Sequence, residues 1–159
     1  MNRQSYKRDV RPEQTAGMTL IVKTVARLTV GLILIFGTYV VFEGHLSSGG
    51  GFPGGVIITL AFINLVLAFG WKPLMGKLPR RRAVLIGSLG ISLFLLLSLF
   101  GLISGVFFKN VIPRGEAFNL FSAGHILYCN IGICLNVGMG LFAIFLALIL
   151  FRIEPEDGA

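Results

Sequence analysis

Charge is what this sequence has least of. Only 13% of its 159 residues are Asp, Glu, Lys or Arg, while 55% are hydrophobic; a soluble domain carries about a quarter charged residues. The few charges are also kept out of the middle of four long apolar runs, at about 20–42, 53–71, 83–108 and 125–151. A subunit that conducts ions by itself normally places a lysine, aspartate or glutamate at mid-membrane. None stands there, so the chain is not expected to carry a main ion path alone. Cysteine is equally scarce. Cys129 and Cys134 share one run, and five residues of helix turn them away from each other, so no disulfide is read from them. No Ser/His/Asp or Cys/His arrangement is visible. A non-catalytic chain without a cofactor is the expectation.

The mean hydropathy is +0.85. Each apolar run meets the roughly 20 residues needed to cross a bilayer core about 30 Å thick. Each must be helical, because lipid cannot satisfy an open strand edge. The predicted fold is therefore all-α, a bundle of four transmembrane helices over residues 20–152. A polar basic arm (1–19) precedes it and an acidic tail (153–159) follows. The arm has no short apolar core leading to a cleavage site, so no removable signal peptide is expected. The connectors are too short for a soluble domain.

The net charge of +7 would suggest nucleic acid on a soluble surface. Here the basic residues flank the spans, as orientation signals and lipid-headgroup contacts do. Arg3, Lys7, Arg8, Arg11, Lys23 and Arg27 precede or open the first span. Lys72, Lys77, Arg80, Arg81 and Arg82 separate the second from the third, and Arg152 follows the fourth. Only Lys109 and Arg114, of 14 Lys and Arg in all, fall on the other side. The positive-inside rule then puts both termini in the cytoplasm of a multi-pass plasma-membrane protein.

The most informative segment joins the first two spans: Gly44-His45-Leu46-Ser47-Ser48-Gly49-Gly50-Gly51-Phe52-Pro53-Gly54-Gly55. Gly49, Gly50, Gly51, Phe52, Pro53, Gly54 and Gly55 read as a structural loop, tightly re-entrant and packed against neighbouring helices. Pro53 suits the first turn of the second helix. No Lys-Ser/Thr follows the glycines, which argues against a phosphate cradle. Glu43 and His45 flank the loop and could relay protons or hold a cation, or make a structural hydrogen bond or ion pair to a partner. They fall short of a metal-ligand set. Polar groups inside the spans are Asn64, the serines of the third, and Asn130 and Asn136. The fourth span has a stripe at spacing four, Gly124, Tyr128, Gly132, Asn136 and Gly140, in which Gly132 and Gly140 admit a neighbouring helix. Gly101 and Gly105 make a similar pair in the third. His125 and Cys129, also four apart, read as packing residues more than as metal ligands.

The glycine segment, lying between two hydrophobic spans, resembles the MnhB/MrpB family, small subunits of multisubunit sodium/proton antiporters. The likeness extends from about Lys23 to Phe151. Members commonly have a proline where Ser48 stands and an aspartate where Asn130 stands. The Ser122-Ala-Gly124, Asn130-Ile-Gly132 and Val137-Gly138 pattern is similar to the related membrane subunits of archaeal membrane-bound hydrogenase and sulfane sulfur reductase complexes. The resemblance implies a subunit of a Na+/H+-translocating module, partnered by other membrane subunits and the lipid bilayer. That module is either the antiporter itself or the antiporter-like arm of a redox-linked respiratory complex. On that reading Glu43, His45, Asn64, Asn130 and Asn136 are candidates for an ion or proton path at subunit interfaces. The alternative is a purely structural scaffold.

Overall fold

The structure is a computed structural model that describes residues 18–70, 76, 79–110, 112, 113, 115 and 122–153. The expected basic arm and acidic tail therefore fall almost wholly outside the described residues, as do Lys72, Lys77 and Arg114. Four helices are long and apolar enough to cross a membrane, and no strand occurs among the described residues. They are α1 (Leu20–Phe42), α2 (Gly51–Phe69), α3 (Arg80–Phe100) and α4 (Ile126–Ile153). At 1.5 Å per residue their 19 to 28 residues extend about 28 to 42 Å.

Two boundaries differ from the sequence expectation. Helix α2 begins at Gly51 rather than Pro53, so Gly51–Gly55 form its first turn and are not loop. The loop proper ends at Gly50, whose φ of 133° only glycine adopts readily. Pro53 does lie in the first turn, where its missing N–H leaves no helical bond unmade. Helix α3 stops at Phe100, eight residues before the apolar run ends, and passes into a 3-10 turn at Gly101–Ser104. Gly105 then takes a left-handed φ of 79° and Phe108 one of 62°. The Phe108 N–H reaches back to the Ser98 carbonyl at 3.3 Å, and the Phe108 ring packs on Phe94 with centroids 5.8 Å apart. Gly101 and Gly105 thus reverse the chain instead of forming a helix-packing pair. Composition concealed this, because the residues that fold back are as apolar as those that cross.

The helices form a row in the order α1, α2, α4, α3. Helix α4 packs extensively on both α2 and α3, and α1 packs on α2 and only lightly on α4. Helix α1 is broadly exposed, with Leu20, Ile21, Leu28 and Ile35 each above 70% accessible. The end holding the α1–α2 turn and the α3–α4 connector is called here the turn end. At the opposite end Phe142 and Leu146 are fully enclosed, together with Val66 and Ala83 and flanked by Phe62, Met139, Phe145 and Ile149. The Phe62 and Phe142 rings meet at 5.9 Å and 56°, within the range of favourable tilted pairs.

Candidate functional site at the turn end

Helix α1 ends on Glu43, whose N–H still bonds the Tyr39 carbonyl at 2.9 Å. The Glu43 carbonyl accepts from the N–H groups of Leu46 and Ser47, each at 2.9 Å, and from the Ser47 hydroxyl at 3.3 Å. The Gly50 N–H then returns to the Val40 carbonyl at 3.1 Å. Eight residues are thereby folded tightly onto the last turn of α1. Glu43 and His45 are partly buried within them.

This turn closes on Asn130 of α4. A Cβ on Gly44 would stand 2.9 Å from Asn130 Nδ2, and one on Gly51 would collide with the Asn130 carbonyl oxygen. Gly50 faces Asn130 Oδ1, at 3.7 Å from where its own Cβ would be. Close approach requires Gly44, which abuts the Gly50 backbone and Asn130 Nδ2, and Gly51, which abuts the Asn130 carbonyl, while Gly50 is required by its φ; all three gather around Asn130. Asn130 Nδ2 is enclosed without a hydrogen-bond partner among the described residues. The structure brings Asn130 together with the glycine segment, a meeting of residues some 80 positions apart.

Asn136 is used differently. Its Nδ2 donates to the Gly87 carbonyl of α3 at 3.3 Å, and it borders a groove of about 180 Å³ with Gly90, Ile91, Phe94, Gly132 and Ile133. Gly132 is a close-approach site as expected: a Cβ there would lie 2.8 Å from the Gly90 carbonyl oxygen. Gly140 has nothing within 4 Å of such a Cβ, so it serves no contact within this chain. Asn64 is only partly covered, on the opposite side of α2 from α4, away from the other amides.

Sequence reasoning passed over two polar contacts and one glycine crossing. Thr59 Oγ1 lies 2.9 Å from the Gly138 carbonyl across the α2–α4 seam, and 2.8 Å from its own Gly55 carbonyl. Gly87 and Gly90 carry no signal of their own in the sequence, although α3 meets α4 there. Asn110, in the connector, clamps His125. Its Oδ1 accepts the His125 backbone N–H at 3.2 Å and lies 2.8 Å from His125 Nδ1. Accepting the backbone N–H identifies that atom as the oxygen, so Nδ1 carries the ring proton in the neutral tautomer. The ring packs edge-on against Phe108 at 5.2 Å. His125 is only 5% exposed, and its Nε2 has no partner among the described residues. It pins the connector onto α4 and is not paired with Cys129. Both cysteines are free and buried. The sequence carries no signal for such a clamp, since Asn110 and His125 are 15 residues apart.

A family model described as a domain related to the MnhB subunit of Na+/H+ antiporters matches residues 21–143, which include the whole glycine turn, Asn64, Asn130 and Asn136. The chain belongs to the MnhB family. A Staphylococcus aureus (strain Newman) protein named antiporter subunit mnhB2 is 40% identical over 83 residues, covering 51% of this chain and 59% of that protein. The mnhB2 proteins of strains JH1 and Mu3 match to the same extent. The chain thus spans about three-fifths of the length of these curated relatives. As an MnhB-family chain with four membrane-crossing helices, it is a multi-pass membrane protein.

Proposed function

We propose that this chain is the MnhB-type subunit of a multisubunit assembly that exchanges sodium for protons across the plasma membrane, with both termini cytoplasmic. Family membership supports the assembly. The charge asymmetry supports the orientation: Lys23, Arg27, Arg80, Arg81 and Arg82 all lie at the end opposite the glycine turn, where the positive-inside rule puts the cytoplasm. The subunit is non-catalytic. It contributes a wall to the ion route at its interfaces, with Glu43, His45 and Asn130 at the turn end and Asn64 and Asn136 deeper in.

The observation that carries this reading is the glycine turn closing on Asn130. A neutral amide with its nitrogen enclosed can order a carbonyl, a water or a cation's hydration shell, and it cannot itself exchange a proton. Where antiporter members resembling this chain carry an aspartate, Asn130 therefore positions and does not titrate. The test is sodium-dependent proton movement in inverted vesicles holding the whole complex. Asn130→Ala, Glu43→Gln and His45→Ala are each expected to slow exchange with assembly intact. Unchanged exchange in all three would remove the turn end from the ion route.

A second reading, a pure scaffold, is favoured by the internal use of Thr59, Gly132 and Asn136, which are occupied in holding α2 and α3 to α4. It expects all three turn-end variants to transport normally. Whether the assembly is the antiporter or the membrane arm of a hydrogenase or sulfur reductase is decided by metal analysis of the purified complex. Iron in stoichiometric amount marks a redox-linked form, and nickel beside it marks the hydrogenase.

A further inference from the structure

The membrane-depth hydroxyls of α1 cause no difficulty in lipid. Thr24, Thr29 and Thr38 each donate to the carbonyl four residues earlier, at 2.8 to 3.0 Å, and so present apolar surfaces. Thr59 and Asn136 find partners across the helix seams. Asn64 is the contrast. It lies four residues past Leu60, the middle of α2, which is about 6 Å along the axis from the helix midpoint. It is only partly covered, and its side chain makes no hydrogen bond among the described residues. At that depth neither acyl chains nor bulk water offer a partner, and an amide left unpaired in hydrocarbon is costly.

One side of α2 stays open. Pro53, Val56, Leu60, Ile63 and Leu67 form a stripe along it at spacings of three and four, and Asn64 borders that stripe. Leu60 is 52% and Leu67 55% exposed. Helices α1 and α4 occupy other sides of α2: Gly54 faces Val41 and Gly37 of α1, and Gly51 and Gly55 face Asn130 and Cys134 of α4. The stripe is thus left uncovered by the described residues. We propose that it receives a transmembrane helix of a different subunit, and that this helix carries a polar side chain that hydrogen-bonds the Asn64 amide. In lipid, where apolar contact alone does not distinguish a helix from an acyl chain, one such bond gives the contact its position and register. The inference rests on the multisubunit reading above.

The test is photo-crosslinking in native membranes, with benzoylphenylalanine placed at Leu60 or Leu67 and the complex purified by a tag on this chain. The expected product joins this chain to another membrane subunit from both positions. Adducts only with lipid, with a second copy of this chain, or with its own basic arm would overturn the proposal. Co-purification separates the two readings. If no other membrane subunit is recovered, the multisubunit assembly itself fails. If partners are recovered but neither position captures one, only the α2 seam fails. Asn64→Leu is expected to weaken retention of the cross-linked subunit about 3- to 20-fold, the range for one interhelical hydrogen bond in a membrane, and Asn64→Gln to retain most of it. Full retention with leucine would refute the amide's role.

Discussion

At the turn end the helices meet backbone to backbone, whereas at the opposite end they meet side chain to side chain. Gly51 against Asn130, Gly55 against Cys134 and Gly90 against Gly132 bring main chains within reach of each other. Thr59, Asn136 and the Asn110–His125 clamp then add directional bonds. At the far end side chains dominate: Phe62, Val66, Ala83, Phe142 and Leu146 fill the space, Arg27 lies over the Phe69 ring at 5.1 Å, and the Met18 N–H bonds the Ala68 carbonyl at 3.1 Å. The difference shows how one short helix row resolves two demands in lipid. Aliphatic packing is adaptable and tolerates a change of shape, while a glycine seam has a single admissible separation. The end that must present polar atoms in a fixed arrangement is built from the second kind of contact.

The contrast can be broken most severely at Gly90. A Cβ there would stand 2.5 Å from the Gly132 carbonyl oxygen and 2.9 Å from the Asn136 nitrogen. Gly90→Leu is therefore expected to exceed the roughly 1–3 kcal/mol of ordinary overpacking, because backbone cannot rotate aside. The measurement is the yield of monodisperse protein by size exclusion in mild detergent, and a wild-type profile would show the seam to be looser than described. Phe142→Ala comes next. Side-chain removal from a packed core costs roughly 3–5 kcal/mol in water, and the lower end is expected here because lipid is as apolar as the core. The variant should assemble but unfold at lower temperature, with hydrogen exchange rising in the inner turns of α2 and α4 and unchanged in the glycine turn. Equal loosening at both ends would erase the distinction. The smallest effect belongs to Gly140→Leu, which meets nothing within 4 Å. Within this chain it should leave thermal stability unchanged, so any loss confined to the intact complex would locate a partner at that position.

Gly132 and Gly140 sit in the same stripe and look interchangeable in the sequence. Helix rotation separates them: eight residues turn Gly140 about 80° away from Gly132, off the face that α3 covers, while α3 still meets α4 beyond that point, where Ala83 is enclosed with Phe142 and Leu146. Run length and hydropathy made the four spans legible, because a bilayer imposes its thickness on composition directly. Boundaries were less so. Glycines at the start of α2 look like loop until a neighbouring backbone is seen to require them, and residues 101–108 have the composition of a span while folding as a turn. The candidate residues of the turn end were visible as a cluster around Glu43 and His45. The closure on Asn130 and the clamp of Asn110 on His125 were not, since both depend on which helices become neighbours, a fact of topology that spacing within one segment does not encode.

That topology has a consequence for biogenesis. Helices α2 and α3 are consecutive in the chain, yet α4 lies between them and supplies most of what α3 touches and much of what α2 touches. A nascent chain that has released its first three spans into the bilayer therefore holds only the α1–α2 hairpin in native form, with α3 adrift. The fourth span is the wedge on which both halves lock. A stall before residue 126 would leave the α1–α2 hairpin and α3 without the helix that joins them.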